Sequence, residues 1–355
     1  MGLSKNSKVV VIGAGFAGAS TAYHLTKMGF GSITILEREE RIGFHASGRN
    51  AGLCRQLTES DETTAYTVRG ARFLANPPSG FSAQPVLLHT GSLLIAQDES
   101  FLNRMVERAH RWEITCERLG GEDVIDKWPE LSELKMTGAL FVQNDGVINT
   151  DALLQAFLLS SERHGTMLKL SCAVHDISET DSGVLVRTSQ GDFDADFVVN
   201  AAGAWVAEVG AFAGLTENEY TCEHRHIHVC KTERPDKERP YVWCLGEDEF
   251  YIRPHTDGLL MSGCDVRLSR PTNALVDDDE EMKIRAKLDR VAPSLRDTPF
   301  SQSWACLRTF SEGRVPKICW DSKREWLFWV AGLGGHGATG SYEIGRVAAE
   351  KIAAR

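Results

Sequence analysis

A glycine-rich turn near the start of the chain restricts the fold more than any other feature. The turn, Gly13-x-Gly15-x-x-Gly18, follows the apolar run 9–12 and precedes a helical pattern. A second apolar run, 33–36, ends at Glu37, which lies 24 residues after Gly13. This order of strand, turn, helix, strand and acidic residue predicts a βαβ unit that binds a dinucleotide.

Each residue of this pattern has a physical role. Gly13 permits the tight turn, Gly15 lets the backbone approach a pyrophosphate, and Gly18 lets the helix pack closely on the strand. The free N–H groups at the start of the helix attract the phosphates, and Glu37 accepts hydrogen bonds from a ribose. The alternative is a glycine-rich turn in another kind of α/β domain.

Three segments rich in small residues favour FAD over a nicotinamide cofactor. Residues 45–52 follow the second apolar run and predict a loop around a ligand, not a crossover helix. Residues 201–205 and 332–340 follow two further buried strands. With the turn at 13–18 they make three glycine-rich strand ends, which fit a long ligand held along the carboxyl edge of a parallel sheet.

The remaining patterns predict an α/β protein with two interleaved domains. Helices are expected at 98–122, 150–164 and 277–291, and strands at 183–188, 192–200, 224–231, 249–253, 259–263 and 327–331. We expect a Rossmann-like, doubly wound FAD-binding domain and an α+β substrate domain on a mixed or antiparallel sheet. The FAD-binding domain is assigned to 1–80, 140–215 and 300–355, and the substrate domain to 81–139 and 216–299.

Composition excludes several classes of partner. The chain has 355 residues with 39 Lys and Arg against 49 Asp and Glu, a net charge of −10 that argues against nucleic-acid binding. No apolar run is long enough for a transmembrane helix, and the short polar start predicts no signal peptide. Nine cysteines without a Cys-x-x-Cys pair predict reduced thiols and a cytoplasmic protein.

The sequence resembles the family of D-amino-acid oxidases and dehydrogenases, glycine oxidases and sarcosine oxidases, over nearly its whole length. It is most similar to the D-arginine dehydrogenase type. The residues that carry the resemblance are Glu37-Arg38, His45-x-Ser47-Gly48-Arg49, Asn149-Thr150-Asp151-Ala152-Leu153, Val199-Asn200-Ala201-Ala202-Gly203-Ala204-Trp205, Leu307-Arg308 and Gly334-Gly335-His336-Gly337.

The resemblance implies non-covalent FAD and oxidation of the C–N bond of an amino acid or N-substituted amino acid to an imine. Arg308 would bind the substrate carboxylate, with Tyr251 beside it and Arg225 as a second pocket arginine. His336 is a candidate to handle a proton beside the flavin. A structural salt bridge, an ordinary strand aromatic and a structural histidine are the alternatives for Arg308, Tyr251 and His336. The electron acceptor, oxygen or a quinone, stays open.

The predicted cofactor contacts come from the glycine-rich segments and the positions that match the family. They are Gly13, Gly15, Phe16, Ala17, Gly18, Glu37, Arg38, Ser47, Gly48, Asn50, Ala51, Gly52, Val174, Ala202, Gly203, Trp205, Gly334, Gly335, His336, Gly337, Ala338 and Thr339.

Two departures from the D-arginine enzyme bear on the substrate. The segment after Gly52 includes Arg55 where that enzyme has His and aromatic residues, and Ser92 stands where it has an acidic partner for a cationic side chain. Because a buried cation needs a partner, we expect substrates with neutral or anionic side chains, D-amino acids or opine-like compounds. A 2-hydroxy acid dehydrogenase and an FAD subunit of a larger complex are the alternatives.

An alternating segment has the residue types of a metal site. Cys222, His224, His226, His228 and Cys230 would share one face of a strand. Same-face neighbours on a strand are about 7 Å apart, which makes tetrahedral ligation from one strand awkward, so we predict no metal. Arg225 and Ile227 would then face the other way, toward the pocket.

Overall fold

The computed structural model describes residues 4–216, 220–233, 236–246 and 248–355. Its strands are β1 Lys8–Ile12, β2 Ser32–Leu36, β3 Leu53–Cys54, β4 Leu87–His89, β5 Ser92–Ala96, β6 Cys116–Leu119, β7 Gly138–Val142, β8 Gly146–Ile148, β9 Met167–Lys169, β10 Val174–Thr180, β11 Gly183–Thr188, β12 Gly191–Ala195, β13 Phe197–Asn200, β14 Tyr220–Cys230, β15 Tyr241–Leu245, β16 Phe250–His255, β17 Gly258–Ser262, β18 Arg267–Ser269, β19 Phe300–Ser311, β20 Lys317–Trp320 and β21 Leu327–Ala331. Its α-helices are α1 Phe16–Lys27, α2 Asp61–Ala75, α3 Glu99–Arg111, α4 Gly121–Lys127, α5 Thr150–Glu162, α6 Val206–Phe212, α7 Glu280–Val291 and α8 Gly337–Ala353.

The apolar runs of the sequence form a six-stranded sheet in the order β20-β21-β13-β1-β2-β9. Every neighbouring pair in it is parallel except β20 and β21. The predicted βαβ unit is confirmed, because β1 and β2 pair in parallel and α1 connects them. The carboxyl ends of β1, β2, β13 and β21 therefore meet at one edge.

Both faces of this sheet are covered, which explains why its strands are apolar throughout. Alternate residues such as Val9 and Val11 pack with α1, α5 and α8, whereas Val10 and Ile12 pack with α6 and the three-stranded sheet β10-β11-β12. The doubly wound architecture expected from the sequence is confirmed.

A second, nine-stranded sheet has the order β18-β14-β17-β16-β15-β5-β7-β6, with β19 also paired to β14. It is mixed, because β15 and β5 are parallel while the other pairs are antiparallel. Residues 300–311 and 138–142 belong to this sheet, so 300–311 and the start of 140–215 differ from the assignment by sequence. We propose the same interleaved division with these two segments moved to the substrate domain.

The single helix predicted over 98–122 is wrong. Helix α3 ends at Arg111, and Glu113 then adopts a positive φ of 53°, which reverses the chain. Residues 116–119 become an edge strand on β7, and α4 starts at Gly121. The spacing of Trp112, Cys116 and Leu119 continues the helical period, which is why the pattern misled.

Candidate functional site

One large cavity lies between the two sheets. Its wall includes the carboxyl ends of β1, β2, β13 and β21 on one side and residues of β14, β16 and β19 on the other. The three glycine-rich segments singled out in the sequence, at 13–17, 201–205 and 332–338, all contribute to this wall. The cavity thus joins the edge of the six-stranded sheet to the face of the nine-stranded sheet.

The first glycine-rich turn is held in a shape that only glycine permits. Gly13 has a φ of +103°, and a Cβ on it would lie 2.5 Å from the carbonyl oxygen of Ala201. A Cβ on Gly18 would lie 1.9 Å from the Gly13 carbonyl oxygen. Both contacts are too short for any side chain, so the turn and its helix pack as the fingerprint requires.

The N-terminus of α1 lines the cavity, and apart from Phe16 N its first N–H groups have no side-chain partner among the described residues. No acidic residue lies in its first turn, and the side chain of the N-cap position, Gly15, cannot cap it. Phe16 N donates to Ser47 Oγ at 3.0 Å, which fixes the loop 45–52 over the helix end. Uncapped N–H groups and the helix dipole together favour an anionic group here, as a pyrophosphate requires.

Glu37 lies at the end of β2 and lines the same cavity. Its carboxylate accepts hydrogen bonds from Ala14 N at 2.9 Å and Glu39 N at 3.0 Å, so it also anchors the glycine-rich turn. The guanidinium of Arg38 stacks 3.7 Å from the centre of the Trp205 ring. This contact connects the end of β2 to the segment after β13. The carboxylate is therefore held in one position at the end of β2.

The last glycine-rich segment leads into α8, which begins at Gly337 without an acidic residue in its first turn. Gly334 has a φ of +58°, and a Cβ on it would lie 2.6 Å from the Phe310 ring. His336 lines the cavity directly before the helix. Burial, and then the positive charge of Arg55, lower the pKa of His336 to about 4, so its ring is neutral at pH 7.

These residues fit FAD. Three glycine-rich strand ends, two helix N-termini and the carboxylate of Glu37 line one continuous cavity, so a dinucleotide can extend along it. Gly203, with a φ of +57°, has no atom within 4 Å of an added Cβ, so this part of the wall leaves room beside the backbone.

Arg308 on β19 lines the other half of the cavity. Its Nη2 donates to Glu223 Oε2 at 3.0 Å, and its Nε is buried without a hydrogen-bond partner in the described part of the chain. Burial, and then the charge of Arg225, lower the pKa of Arg308 from its ordinary value. Arg308 therefore forms a structural ion pair with Glu223 and still has a hydrogen-bond donor, Nε, without a partner in the described residues.

Arg225 and Tyr251 line the cavity beside Arg308, as predicted. Arg225 is only 4% exposed, and its Nε and Nη1 find no partner among the described residues. Tyr251 is also buried, and this burial raises the pKa of its phenol, which stays protonated. Ile227 shares the wall, so the predicted orientation of this strand is confirmed.

Most of the predicted cofactor contacts line this cavity, but three do not. Gly18 and Gly48 are pressed against backbone, since a Cβ on Gly48 would lie 2.1 Å from the Gly43 carbonyl oxygen. Thr339 Oγ1 donates to the Leu53 carbonyl oxygen at 3.1 Å and is buried in α8. These three residues do not line the cavity, but they pack against the segments that do.

Ser92, at the position where the D-arginine enzyme has its acidic partner, does not line the cavity. Ser92 is fully buried outside the cavity wall, and its Oγ donates to Asp145 Oδ2 at 2.7 Å. Arg55 does line the cavity, but its Nη2 donates to Glu59 Oε1 at 2.6 Å and its guanidinium stacks on Trp243 at 4.3 Å. The charge of Arg55 is therefore already paired.

Several wall residues escaped the sequence prediction. Trp243 lines the pocket from β15, which joins the sheet by a parallel pairing with β5. No pattern in the sequence predicted this pairing. Cys306 faces the cavity two residues before Arg308, as the alternation of a strand requires, and this spacing could have identified it. His45 and Arg49 line it from the loop already associated with the ligand.

Two of the three histidines of β14, His226 and His228, form hydrogen bonds on the face away from the cavity, whereas the buried Nδ1 of His224 has no partner among the described residues. His226 Nδ1 lies 2.8 Å from Asp265 Oδ2, and its Nε2 accepts from Asp277 N at 3.2 Å. His228 Nδ1 lies 2.8 Å from Ser303 Oγ. Both ring nitrogens of His226 thus have protein partners, which is the ordinary arrangement of a structural histidine.

Comparison with known proteins identifies the family. Residues 8–351 match the family model described as FAD dependent oxidoreductase. The 4-methylaminobutanoate oxidase (formaldehyde-forming) of Paenarthrobacter nicotinovorans is 26% identical over 99% of this chain, although the match covers only 44% of that relative.

Two solved structures share the fold over almost their whole length. Glycine oxidase from Geobacillus kaustophilus has a TM-score of 0.86 with 21% identity, covering 99% of this chain and 96% of that one. Iminodiacetate oxidase from Chelativorans sp. BNC1 has a TM-score of 0.80 with 23% identity, covering 98% and 96%. The family model spans nearly the whole chain, and the chain belongs to the FAD dependent oxidoreductase family.

Proposed function

We propose that this protein oxidises the C–N bond of an amino acid or N-substituted amino acid to an imine, using FAD. The observation that carries the proposal is the position of Arg308, whose buried Nε faces no partner and whose side chain lines the same cavity as the glycine-rich cofactor segments. A cation at that place suits a substrate carboxylate better than any neutral group.

The guanidinium of Arg308 would hold the carboxylate with two parallel hydrogen bonds. A carboxylate fixed in this way aligns the neighbouring Cα–H, which is the proximity contribution to catalysis. The protonated phenol of Tyr251 supplies a further donor from β16. Glu223 keeps the arginine in place from the neighbouring strand.

FAD, when bound, supplies the oxidant that accepts the two electrons of the C–N bond. The protein contributes the free N–H groups at the start of α8, which favour negative charge on the reduced cofactor. The neutral ring of His336 adds no further charge at this point. The substrate amine must be neutral, since its lone pair assists departure of the hydride from Cα.

The relatives support the class of substrate. The three named above are an oxidase of 4-methylaminobutanoate, one of glycine and one of iminodiacetate, and each of these compounds carries an amine and a carboxylate. We propose the same combination here. The electron acceptor that reoxidises the flavin, oxygen or a quinone, is not specified by these names.

A cytoplasmic location is also proposed. All nine cysteines are free thiols, as in a reducing compartment. Within the described segments, no helix combines the length and apolar character that a membrane span requires.

The test is anaerobic reduction of the flavin absorbance by primary amino acids of both configurations, by sarcosine and other N-substituted amino acids, and by lactate as a hydroxy-acid comparison. Bleaching by amino compounds alone supports the proposal. Bleaching by lactate alone would favour a hydroxy-acid dehydrogenase, and a flavin that no compound reduces would favour a non-catalytic subunit.

A further inference from the structure

We propose that the substrate is a dicarboxylate, an N-carboxyalkyl amino acid with a carboxylate on each side of its secondary amine. Arg308 would hold one carboxylate and Arg225 the other. The inference rests on the proposed function and adds the class of substrate. It follows from the arginines that line the cavity, from buried guanidinium nitrogens of Arg225 and Arg308 that have no partner among the described residues, and from the register of β14 with β19.

The first observation is the unmet hydrogen-bonding capacity of Arg225. Two of its nitrogens, Nε and Nη1, are buried and have no partner in the described residues, and the residue is 4% exposed. A buried cation with free donors is costly unless a ligand supplies acceptors. An oxyanion of the substrate is the acceptor that matches a guanidinium.

The acids near Arg225 are already engaged. Asp265 accepts from His226 N at 2.9 Å and pairs with His226 Nδ1 at 2.8 Å on the other face of the strand. Glu249 accepts from Trp243 Nε1 at 3.0 Å. Neither carboxylate hydrogen-bonds to Arg225, so the guanidinium keeps its donors for the cavity.

Five arginines line the cavity, and three of them pair with carboxylates outside its wall: Arg38 with Glu39, Arg55 with Glu59 and Arg308 with Glu223. Among its described residues the cations are Arg38, Arg49, Arg55, Arg225 and Arg308. The acids are Glu37, which follows β2, and Glu208 on α6. Both acids belong to the half that holds the glycine-rich turns, whereas Glu223, which pairs with Arg308, is on β14 but does not line the cavity.

The register places the two arginines at a useful separation. Arg225 pairs with Cys306, and Arg308 pairs with Glu223, so the arginines are diagonal neighbours on one face of the β14–β19 ribbon. Diagonal neighbours lie about 7–8 Å apart, near enough for long side chains to converge. The carboxyl carbons of iminodiacetate are four bonds apart, about 5 Å when extended, because each bond is about 1.5 Å.

Charge balance favours two carboxylates over one. The single charge of Glu223 is shared between Arg308 and Arg314, which donates to both of its oxygens. Glu223 therefore compensates Arg308 only in part, and no carboxylate of the described residues hydrogen-bonds to the buried Nε and Nη1 of Arg225. A substrate with two carboxylates offers one to each of these two guanidinium groups.

The reaction balances as in the proposed function. The substrate loses a hydride from a carbon next to nitrogen and a proton from the nitrogen, and an imine remains. Water hydrolyses the imine, so that iminodiacetate would give glyoxylate and glycine. The two electrons pass to the flavin and then to its acceptor, oxygen or a quinone.

Binding of two compounds without an amine tests the inference independently of turnover. Oxydiacetate has two carboxylates and methoxyacetate has one, and the holoenzyme cannot oxidise a C–N bond in either. Perturbation of the flavin spectrum gives their dissociation constants. We expect oxydiacetate to bind at least roughly tenfold more tightly, the effect of about one charge-assisted contact.

The decisive variant is Arg225→Met, with Arg267→Met as the matched control. Arg267 lies on β18 of the same sheet, is largely exposed and does not line the cavity. Arg225→Met should abolish the preference for oxydiacetate and leave methoxyacetate binding within about threefold. Arg267→Met should keep the preference. If Arg225→Met does not retain FAD, Arg225→Lys replaces it, and a reduced preference is expected because a lysine lacks the planar fork.

Flavin reduction by iminodiacetate and sarcosine separates the two proposals. Faster reduction by iminodiacetate in the wild type, lost in Arg225→Met, supports the inference. Equal reduction by both, with equal binding of oxydiacetate and methoxyacetate, overturns it and leaves the proposed function standing. If no amine reduces the flavin, the proposed function fails, whereas the binding comparison still decides whether Arg225 holds a second carboxylate.

Discussion

Glu223 accepts a hydrogen bond from Arg308 across the β14–β19 pairing, at 3.0 Å between Oε2 and Nη2. Arg314 donates to both oxygens of the same carboxylate, at 2.7 and 3.2 Å. The glutamate therefore fixes one edge of the Arg308 guanidinium and leaves its Nε free. A structural ion pair and a substrate anchor coexist in one side chain.

Replacing Arg308 by Met should lower kcat/KM, with a loss of transition-state stabilisation of about 2–5 kcal/mol, because a charge-assisted contact in a buried site is lost. Stopped-flow reduction at full flavin content measures the effect. Arg314→Met is the matched control, since it contacts the same glutamate but lies outside the cavity wall. Equal losses in both variants would assign Arg308 a structural role alone.

Glu37→Ala should weaken retention of FAD by about 1–3 kcal/mol, because the ribose loses an acceptor and Ala14 N loses its partner. The ratio of flavin to protein absorbance after dialysis reports the loss. Glu40→Ala removes a nearby exposed carboxylate and should retain the flavin. Unchanged retention in Glu37→Ala would remove this residue from the cofactor site.

The flavin should be released into the supernatant when the protein is precipitated with acid. Cys306 is a cysteine of the cavity wall, and burial raises the pKa of its thiol to about 11. At neutral pH it is therefore a thiol, which is a poor nucleophile toward the flavin. Flavin that stays on the pellet would contradict non-covalent binding.

His336 should not appear in the pH profile of flavin reduction between about pH 5.5 and 8. Its pKa is lowered to about 4, so the folded protein protonates it only in acid, well below the ordinary value of 6.5. His336→Gln should leave the shape of the profile unchanged. If a limb near pH 6–7 disappears in that variant, His336 titrates in the working range and the prediction is wrong.

Ser92→Ala should destabilise the protein without changing the KM for any substrate. The substitution removes one of the donors to the buried Asp145 carboxylate, at a cost of about 1–3 kcal/mol. Burial raises the pKa of Asp145 to about 6 from 3.8, so the folded state binds this proton more tightly than the unfolded chain. The free energy of unfolding therefore decreases as the pH rises from about 4 to about 6.

The loss in Ser92→Ala should therefore be larger at pH 7, where the carboxylate is ionised and needs its donors, than at pH 4. Urea unfolding at both values measures it. A changed KM with unchanged stability would return Ser92 to the pocket.

The cofactor half of the site could be predicted from sequence because its signals are local. A glycine at Gly13 is required by the backbone of its own turn, and Glu37 follows the next strand at a spacing set by one βαβ unit. Apolar runs gave the strands of the six-stranded sheet for the same reason, since a strand buried on both faces has no polar alternation.

The substrate half depended on contacts between distant segments. Arg308 and Arg225 were assigned through a family likeness, but only the antiparallel register of β14 and β19 makes them diagonal neighbours on one face. Ser92 matched by position, yet its hydroxyl turns to Asp145, 53 residues away, and not to the cavity. Arg55, which follows Gly52 in place of His and aromatic residues, lines the cavity with its charge paired to Glu59.

The sequence by itself determined the dinucleotide fold, because turn geometry and strand burial act over a few neighbouring residues. Tertiary structure alone decided which charges face the cavity and which are already paired. Ion pairing depends on the distance between a charged side chain on one segment and a carboxylate on another. A local sequence pattern does not determine that distance.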